Sequence, residues 1–311
     1  GQAAPPEDVD HTLIDFGEFR LKWERHTEYC SYTFFRHGPL PEDPFAEPAL
    51  SFVPADWLKE MPGQTLAAVN LVLESRDARH RPTDTVPPML STGNFAAAHV
   101  SGGAALAFMD FGIDADGFGR IFVRDRWLKT RQAGRLVQRM FEIETYRMLA
   151  LLGFPVARTQ GRELTHLGNR LTELTQGMTE IRELEDERKL LEEITQLSAE
   201  TEKIAAQTQY RFSASRAYYA LVQRRIEELR EERLEGFQTF SEFVERRLSP
   251  AMRTCEAVRD RLDTLSRRLT RAGQLLRTRV DIQVESQNRD LLQSMDRRAK
   301  LQLRLQETVE G

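Results

Sequence analysis

The sequence predicts an α+β fold, in which an N-terminal antiparallel-sheet domain with covering helices precedes an elongated bundle or coiled coil of long helices. Eleven of the 13 prolines lie before residue 100, where short apolar segments alternate with turn residues. After Pro155 only Pro250 remains, and apolar residues recur at steps of three and four, as in packed long helices. We therefore predict two domains, residues 1–156 and 157–311.

Strands are expected to dominate the first domain after a polar tail at residues 1–12. In the first predicted strand, Phe19, Leu21 and Trp23 fall on one face because strand side chains alternate. The predicted strands are residues 19–24, 29–35, 65–73, 94–100, 104–111 and 119–124. Gly102-Gly103 is a two-residue hairpin signal, so the last three strands are expected to form an antiparallel meander.

Two helices are predicted in the same domain. Residues 54–61 suit a short helix with proline at an early position. Thr130 is a plausible N-cap for a helix that runs to Leu152, with Gly153-Phe154-Pro155 as its stop. The residues of this helix expected to face the core are Val137, Met140, Ile143 and Leu151.

Long helices are predicted for the second domain. Ser249 and Pro250 suit an N-cap and a first helical residue, and the roughly 60 residues that follow would span about 90 Å. We call the line of apolar residues along which such helices pack the seam. Its predicted positions are Leu164, Leu167, Leu171, Leu174, Met178 and Ile181, and, in the last helix, Cys255, Val258, Leu262, Leu265, Leu269, Ala272 and Leu276. A helix this long exceeds one compact core, so we expect it to pack on long partner helices within or between chains.

The amino-acid composition and charge argue against several classes of function. The net charge is −4, and it lies almost entirely before residue 156, with 21 acidic against 16 Lys or Arg residues. Neither half is basic enough to indicate nucleic-acid binding. Cys30 and Cys255 allow no disulfide framework, and no apolar run or leader indicates a membrane span or secretion. We expect a soluble piece of a longer chain, since the sequence starts without Met and stops inside a helical pattern.

Two sets of residues have metal-capable side chains. Asp114 and Asp116 resemble the first ligands of a calcium-binding loop, although Asp-Gly is also a common sequence in hairpin turns. Glu24, His26 and Glu28 would share one face with Cys30 if their strand continued. If either set binds an ion, Mg²⁺ or another divalent cation is the expected ligand. No nucleophile elbow or dinucleotide loop accompanies them, so we predict that the protein is not an enzyme.

An aromatic and arginine-rich segment runs from Tyr210 to Tyr219. It could form an RNA-binding helix face, but the near-neutral surroundings favour aromatic packing at a helix interface. We predict no nucleic-acid partner.

Four segments resemble a bacterial family of predicted membrane-anchored proteins catalogued as domain of unknown function 3422. They are Asp15–Glu28, Tyr210–Tyr219, Pro250–Val258 and Gln287–Leu303. The resemblance spans nearly the whole chain. It implies two hydrophobic spans beyond residue 311, with this fragment on the cytoplasmic side of the bacterial inner membrane.

The layout that the resemblance implies is similar to that of CorA-type magnesium transporters, in which a long helix continues into a pore. The leading hypothesis is therefore an oligomer that associates through its long helices and carries divalent cations across the membrane. The alternative is a membrane-tethered coiled-coil scaffold without transport activity. A third hypothesis is a metal-dependent enzyme that uses Glu24, His26, Glu28 or the turn from Asp114 to Asp116.

Overall fold

The computed structural model describes residues 9–78, 81–90, 93–178, 181 and 183–309. It confirms the α+β class. The strands are β1 (His11–Asp15), β2 (Arg20–Arg25), β3 (Cys30–Phe35), β4 (Val69–Glu74), β5 (Phe95–Val100), β6 (Ala105–Asp110), β7 (Gly119–Asp125) and β8 (Glu232–Arg233). The α-helices are α1 (Ala55–Lys59), α2 (Thr130–Leu151), α3 (Gly153–Gly177), α4 (Leu184–Leu229), α5 (Phe240–Arg247) and α6 (Ser249–Val309).

The chain divides into two compact units. The first comprises residues 1–148 and 220–246, and the second comprises residues 149–219 and 247–311. The first unit is therefore discontinuous in sequence, because the chain returns to it for residues 220–246. The change in amino-acid composition at residue 156 gives no indication that the chain returns to the first unit.

A three-stranded antiparallel sheet opens the first unit, in the order β1-β2-β3. Leu21 lies opposite Ile14 and Phe34, and it packs with Phe19 and Val53 in a small core. The face predicted for Phe19 and Leu21 is thus the buried one. β1 starts at His11, so the tail predicted for residues 1–12 is wrong at its end, while residues 1–8 lie outside the described part.

The second sheet has five strands in the order β4-β7-β6-β5-β8. Its centre, β5-β6-β7, is the predicted antiparallel meander. β4 pairs with β7 in parallel, which makes the sheet mixed. Phe108 and Phe122, both fully buried, fill its core together with Leu106 and Val86.

The β5–β6 hairpin differs from the two-residue turn that Gly102-Gly103 suggests. Val100 pairs with Ala105, so four residues connect the strands. Ser101, Gly102 and Gly103 have φ of 58°, 67° and 77°. Ser101 thus adopts the left-handed backbone conformation although it is not a glycine. Its backbone N–H donates a hydrogen bond to the carbonyl of Leu229 at 2.7 Å.

The N-terminus of α5 is capped twice. Thr239 and Glu242 form a capping box, in which Thr239 Oγ1 accepts the Glu242 N–H at 3.2 Å and the Glu242 carboxylate accepts the Thr239 N–H at 3.0 Å. Glu231 accepts the N–H groups of Phe240 and Ser241 at 2.8 and 3.0 Å. Burial raises the pKa of the Glu231 carboxyl above its usual range.

α2 ends close to the predicted position, but Gly153-Phe154-Pro155 does not stop helical structure. α3 begins at Gly153, directly after Leu152. Pro155 stands in the first turn, where a missing N–H costs no hydrogen bond. In α2, Met140 and Ile143 are fully buried as predicted, whereas Val137 is only partly buried.

The long helical segments that the structure describes in the second unit are α3, residues 184–219 of α4, and α6. Their buried apolar residues follow the predicted three-and-four spacing, with Leu164, Leu171, Leu269 and Leu276 at most 2% exposed. α4 is one continuous helix through Tyr210–Tyr219, where Phe212 is buried and Tyr210 exposed. It begins at Leu184, three residues after Ile181, the last predicted seam position of the first series.

Small residues let α3 lie close to its neighbours. A Cβ atom built at Gly153 would meet Ser215 Oγ at 2.4 Å and Cys255 Sγ at 3.4 Å, and one at Gly161 would meet Val258 at 3.2 Å. Ala157, between the two glycines, is fully buried. The sequence therefore keeps three small residues at four-residue steps where the helices pack most tightly.

Candidate functional site

Asp114 is part of a turn that its own carboxylate organises. One oxygen accepts the backbone N–H groups of Asp116 at 3.0 Å and Phe118 at 2.9 Å, and the other pairs with Arg120 Nε at 3.3 Å. Asp116 points to solvent. The hairpin-turn alternative explains every contact of Asp114, so the calcium-loop interpretation gains nothing from this geometry.

Glu24, His26 and Glu28 do not share one strand face. β2 ends at Arg25, and a turn follows in which the His26 N–H donates to the Tyr29 carbonyl at 2.8 Å. Glu24 pairs with Lys22 at 2.7 Å, and the His26 ring stacks on Tyr29 with centroids 4.3 Å apart. The premise that the strand continues is therefore wrong.

Across the residues that the structure describes, no three His, Cys, Asp or Glu side chains come together in a group that could hold a metal ion. Metal binding by Glu24, His26, Glu28, Asp114 or Asp116 stays a prediction from the sequence. It would need at least one ligand from outside these side chains.

The buried thiol is poorly suited to nucleophilic chemistry. Cys255 is 5% exposed, and burial raises its pKa to about 11. A thiol with that pKa is protonated near neutral pH, and the thiolate is the nucleophilic form. Its Sγ lies 3.4 Å from the position that a Cβ atom of Gly153 would occupy, in the tightly packed part of the second unit. Cys255 is therefore best explained as a packing residue.

A buried charge cluster supports the edge of the mixed sheet. Glu74, 3% exposed, accepts from Arg124 Nε at 2.7 Å and from Arg81 Nε at 3.1 Å. Arg81 also donates to the Glu42 carbonyl at 2.6 Å, which ties a long loop to the strand. Buried charges are retained when they are paired in this way. The cluster joins chain segments and is explained by that role.

The seam of the three-helix unit ends in an ion pair. Arg279 Nη2 lies 2.7 Å from an oxygen of Glu187, which is 2% exposed. Arg279 also donates to the carbonyls of Met178 and Ile181, at 2.9 and 3.2 Å. Arg279 follows Leu276 by three residues, so it occupies the next seam position. The apolar seam of α6 therefore stops at this arginine.

Beyond this point α6 carries a second apolar face, the feature most suggestive of function. We call it the α6 stripe; its members are Val284, Asn288, Leu291, Leu292, Met295 and Ala299. All but Leu292 follow one another at steps of three and four, Leu292 adjoins Leu291, and the six positions lie on one side of the helix. Val284 is partly buried, and Leu291, Leu292 and Met295 are 62%, 66% and 59% exposed.

The α6 stripe does not continue the buried seam. Extending the seam from Leu276 by the same steps leads to Arg279, Gln283, Ser286 and Asp290, which are charged or polar. The stripe is rotated from that line by roughly 160°, nearly half a turn. Two other exposed apolar residues, Ile282 and Leu301, lie off the stripe. The stripe is therefore a separate surface.

The predicted seam positions of the last helix end at Leu276, and sequence reasoning missed the second apolar face that follows. The signal was present in the sequence. Polar residues replace apolar ones at the seam positions after Leu276, while a new series starts at Val284. Only the packing of the first series shows which of the two faces is covered.

Comparison with known proteins identifies the family of this chain but no individual relative. Among the described residues, no helix combines the length and apolar composition needed to cross a membrane. No curated protein and no solved structure matches the chain. One family matches residues 1–311, under the description "Protein of unknown function (DUF3422)". The chain belongs to this family, as the resemblance in its sequence indicates.

Proposed function

We propose that the protein is a scaffold that assembles as a parallel homodimer through the α6 stripe, with each copy carrying its α+β unit. The observation that carries this proposal is the exposure of Leu291, Leu292 and Met295 on one side of a helix that has no covering partner there among the described residues. This is a binding role without catalysis. The membrane tether of the original scaffold hypothesis is not needed for it.

The physical argument begins with helix stability. Most of the stability of a helix in a protein comes from packing its apolar face, and a segment without such packing is marginal in water. From Ser286 to Leu301 every residue of α6 is exposed. Burying a leucine or methionine side chain contributes about 1.5–3 kcal/mol. A partner on the stripe would therefore stabilise a segment that the three-helix unit leaves uncovered.

The stripe suits a second copy of itself. Consider two parallel copies of α6 aligned so that their Asn288 residues face each other. At the edges of that contact, Gln287 of one copy lies opposite Leu292 of the other, and Ser294 lies opposite Ala299. These edge positions therefore bring no like charges together. Asn288 falls at a central position. Its amide has both a donor and an acceptor, so two copies facing across a twofold axis satisfy each other. An apolar partner would leave that amide unpaired, which costs free energy.

Sedimentation equilibrium of the chain tests the proposal. The wild-type protein should show a concentration-dependent dimer, and the double variant L291Q/M295Q should remain monomeric. The control is I282Q, which removes an apolar side chain with the same exposed fraction as Leu291 (62%) from a position outside the stripe and its flanks. It should dimerise like the wild type. A wild-type monomer at high concentration, or equal losses in both variants, contradicts the proposal.

Membrane attachment and divalent cation transport stay predictions that rest on the family resemblance and on the similar layout of CorA-type transporters. They make a different prediction for the same experiment. A pore requires a closed ring of more than two copies. A larger assembly whose size responds to millimolar Mg²⁺ would favour transport over the dimeric scaffold.

A further inference from the structure

A groove with a basic rim lies between α3 and α6, before the α6 stripe begins. Its volume is about 450 Å³. We call it the basic groove, and the lining residues that matter here are Leu171, Met178, Arg268, Arg271, Ala272 and Leu275. Ala272 is the smallest side chain of the α6 seam, and its size leaves room for the groove. Leu275 is 56% exposed, so apolar surface in the groove remains open to solvent.

The α6 side of the groove is strongly positive. From Thr264 to Val280 the helix has five arginines and no carboxylate. Arg268 donates to Thr172 Oγ1 at 3.3 Å, and Arg271 donates to the Arg267 carbonyl at 3.3 Å, so both bind neutral acceptors. Neither arginine takes part in an ion pair with any carboxylate that the structure describes.

Arg279, at the far end of the groove, shows the contrast. It already binds the Glu187 carboxylate and two carbonyl groups. A guanidinium group binds a carboxylate through charge-assisted hydrogen bonds, which are stronger than bonds to neutral acceptors. Arg268 and Arg271 therefore have unused capacity for an anion, directly beside an apolar floor.

We propose that the basic groove binds an acidic amphipathic helix of a partner protein. Residues 268–279 extend about 17 Å along α6, which corresponds to about three turns of a docked helix. A leucine-type side chain of that helix would lie on Leu275, the apolar lining residue that is open to solvent. Its carboxylates would pair with Arg268 and Arg271.

The distribution of charge favours a peptide over a lipid. The two arginines that bind neutral acceptors, Arg268 and Arg271, lie about one turn apart along the groove. A lipid with one anionic head group would place its acyl chain beside guanidinium groups, which need water or an anion. A helix presents a carboxylate on each turn and matches charges spaced along the groove.

Fluorescence anisotropy with defined probes tests this inference on the full chain. The probes are labelled helical peptides of about 15 residues with leucine at i, i+4 and i+7 and flanking glutamates, and the same peptides with glutamine in place of glutamate. The test variant is R268Q/R271Q. The control is R162Q/R277Q, which loses the same charge at two exposed arginines outside the groove lining.

We expect glutamate peptides to bind the wild type and the control alike, and R268Q/R271Q to weaken binding at least about tenfold. Glutamine peptides should bind weakly to all three proteins. Equal weakening in both variants, or no binding of any glutamate peptide, overturns the inference. So does binding of phosphatidylglycerol vesicles, but not of the peptides, that depends on Arg268 and Arg271.

The basic groove and the α6 stripe are tested separately. R268Q/R271Q leaves every member of the stripe unchanged, so its sedimentation mass should equal that of the wild type. Failure of peptide binding would leave the dimer proposal intact, and a monomeric wild type would leave the groove available for the peptide.

Discussion

The two halves of α6 use similar residues in opposite situations. Up to Leu276 the helix buries leucines at three-and-four spacing, and Leu265, Leu269 and Leu276 are at most 4% exposed. After Arg279 the same helix carries a second apolar series, the α6 stripe, whose leucines and methionine are about 60% exposed. Both halves thus have an apolar face, and the difference lies in whether a neighbouring helix covers it.

This comparison separates two roles of an apolar series. In the first half, the small residues of α3 and the buried positions of α4 complement α6 within one chain. In the second half, the chain supplies no helix for the α6 stripe among the described residues. Substitutions in the first half should therefore lower the stability of the chain, and substitutions in the second half should change its association.

The largest expected effect comes from Leu276→Ala. Leu276 is fully buried, so truncation should lower the free energy of unfolding by about 2–5 kcal/mol. Leu292→Ala, on the stripe, should change it by less than about 0.5 kcal/mol in the monomer. Urea unfolding at submicromolar protein, where association contributes little, measures both. Similar losses in the two variants would remove the distinction between the halves.

Gly153→Ala tests how closely the first half is packed. The new methyl group would meet Ser215 Oγ at 2.4 Å, so we expect a loss of about 1–3 kcal/mol in unfolding free energy. Gly168→Ala, in the same helix with nothing within 4 Å of its Cβ position, should stabilise by about 0.5–1 kcal/mol. Thermal unfolding of both variants measures the pair.

Ser215→Ala provides a further check on the Gly153 contact. Removing the hydroxyl in the G153A background should recover part of the lost stability, because the closest contact disappears. If G153A and G168A behave alike, the close approach of α3 to its neighbours in this region is contradicted.

Cys255 makes the first half sensitive to alkaline pH. Burial raises its pKa from 9.0 to about 11, so the folded state keeps the proton after the unfolded state has lost it. The contribution of this thiol to the stability of the folded state is therefore complete below pH 9 and is lost as the pH rises toward 11. At pH 10 the wild type should have lost about 1 kcal/mol relative to pH 8 from this group.

The comparison with C255A isolates that contribution. Other ionisable groups are shared, so the difference in unfolding free energy between wild type and C255A should shift by that amount between pH 8 and pH 10. C30A, at an exposed cysteine, should follow the wild type at both values. A pH-independent difference for C255A would show that the thiol is not buried in the folded state.

Sequence analysis predicted much of the fold because its signals are local. Alternation located most strands, and the seam spacing located Leu164 to Met178 and Cys255 to Leu276. It missed the parallel pairing of β4 with β7, which depends on contacts between Val69–Glu74 and Gly119–Asp125 that no local pattern encodes. It also took Gly153-Phe154-Pro155 as a stop, although proline is tolerated in a first helical turn.

The candidate sites show the same limit. A shared face for Glu24, His26 and Glu28 required the strand to continue, and the backbone turns after Arg25 instead. The α6 stripe is local and periodic, so its residues were visible in the sequence. Its exposure was not, because exposure depends on where α3 ends and where α4 begins. The basic groove likewise needs two helices to be placed side by side.

A last prediction concerns the register of the second half of α6. Replacing Asn288 by isoleucine removes the polar residue from the centre of the α6 stripe. A buried asparagine at such a position costs stability and fixes register and oligomer number. N288I should therefore dimerise more tightly, by about tenfold, and should also populate larger assemblies. Sedimentation velocity across a concentration series measures both, with Q293I, on the polar side, as the control. If N288I and Q293I sediment like the wild type, Asn288 does not face a second copy, and the parallel pairing of the stripe is wrong even if the protein is a dimer.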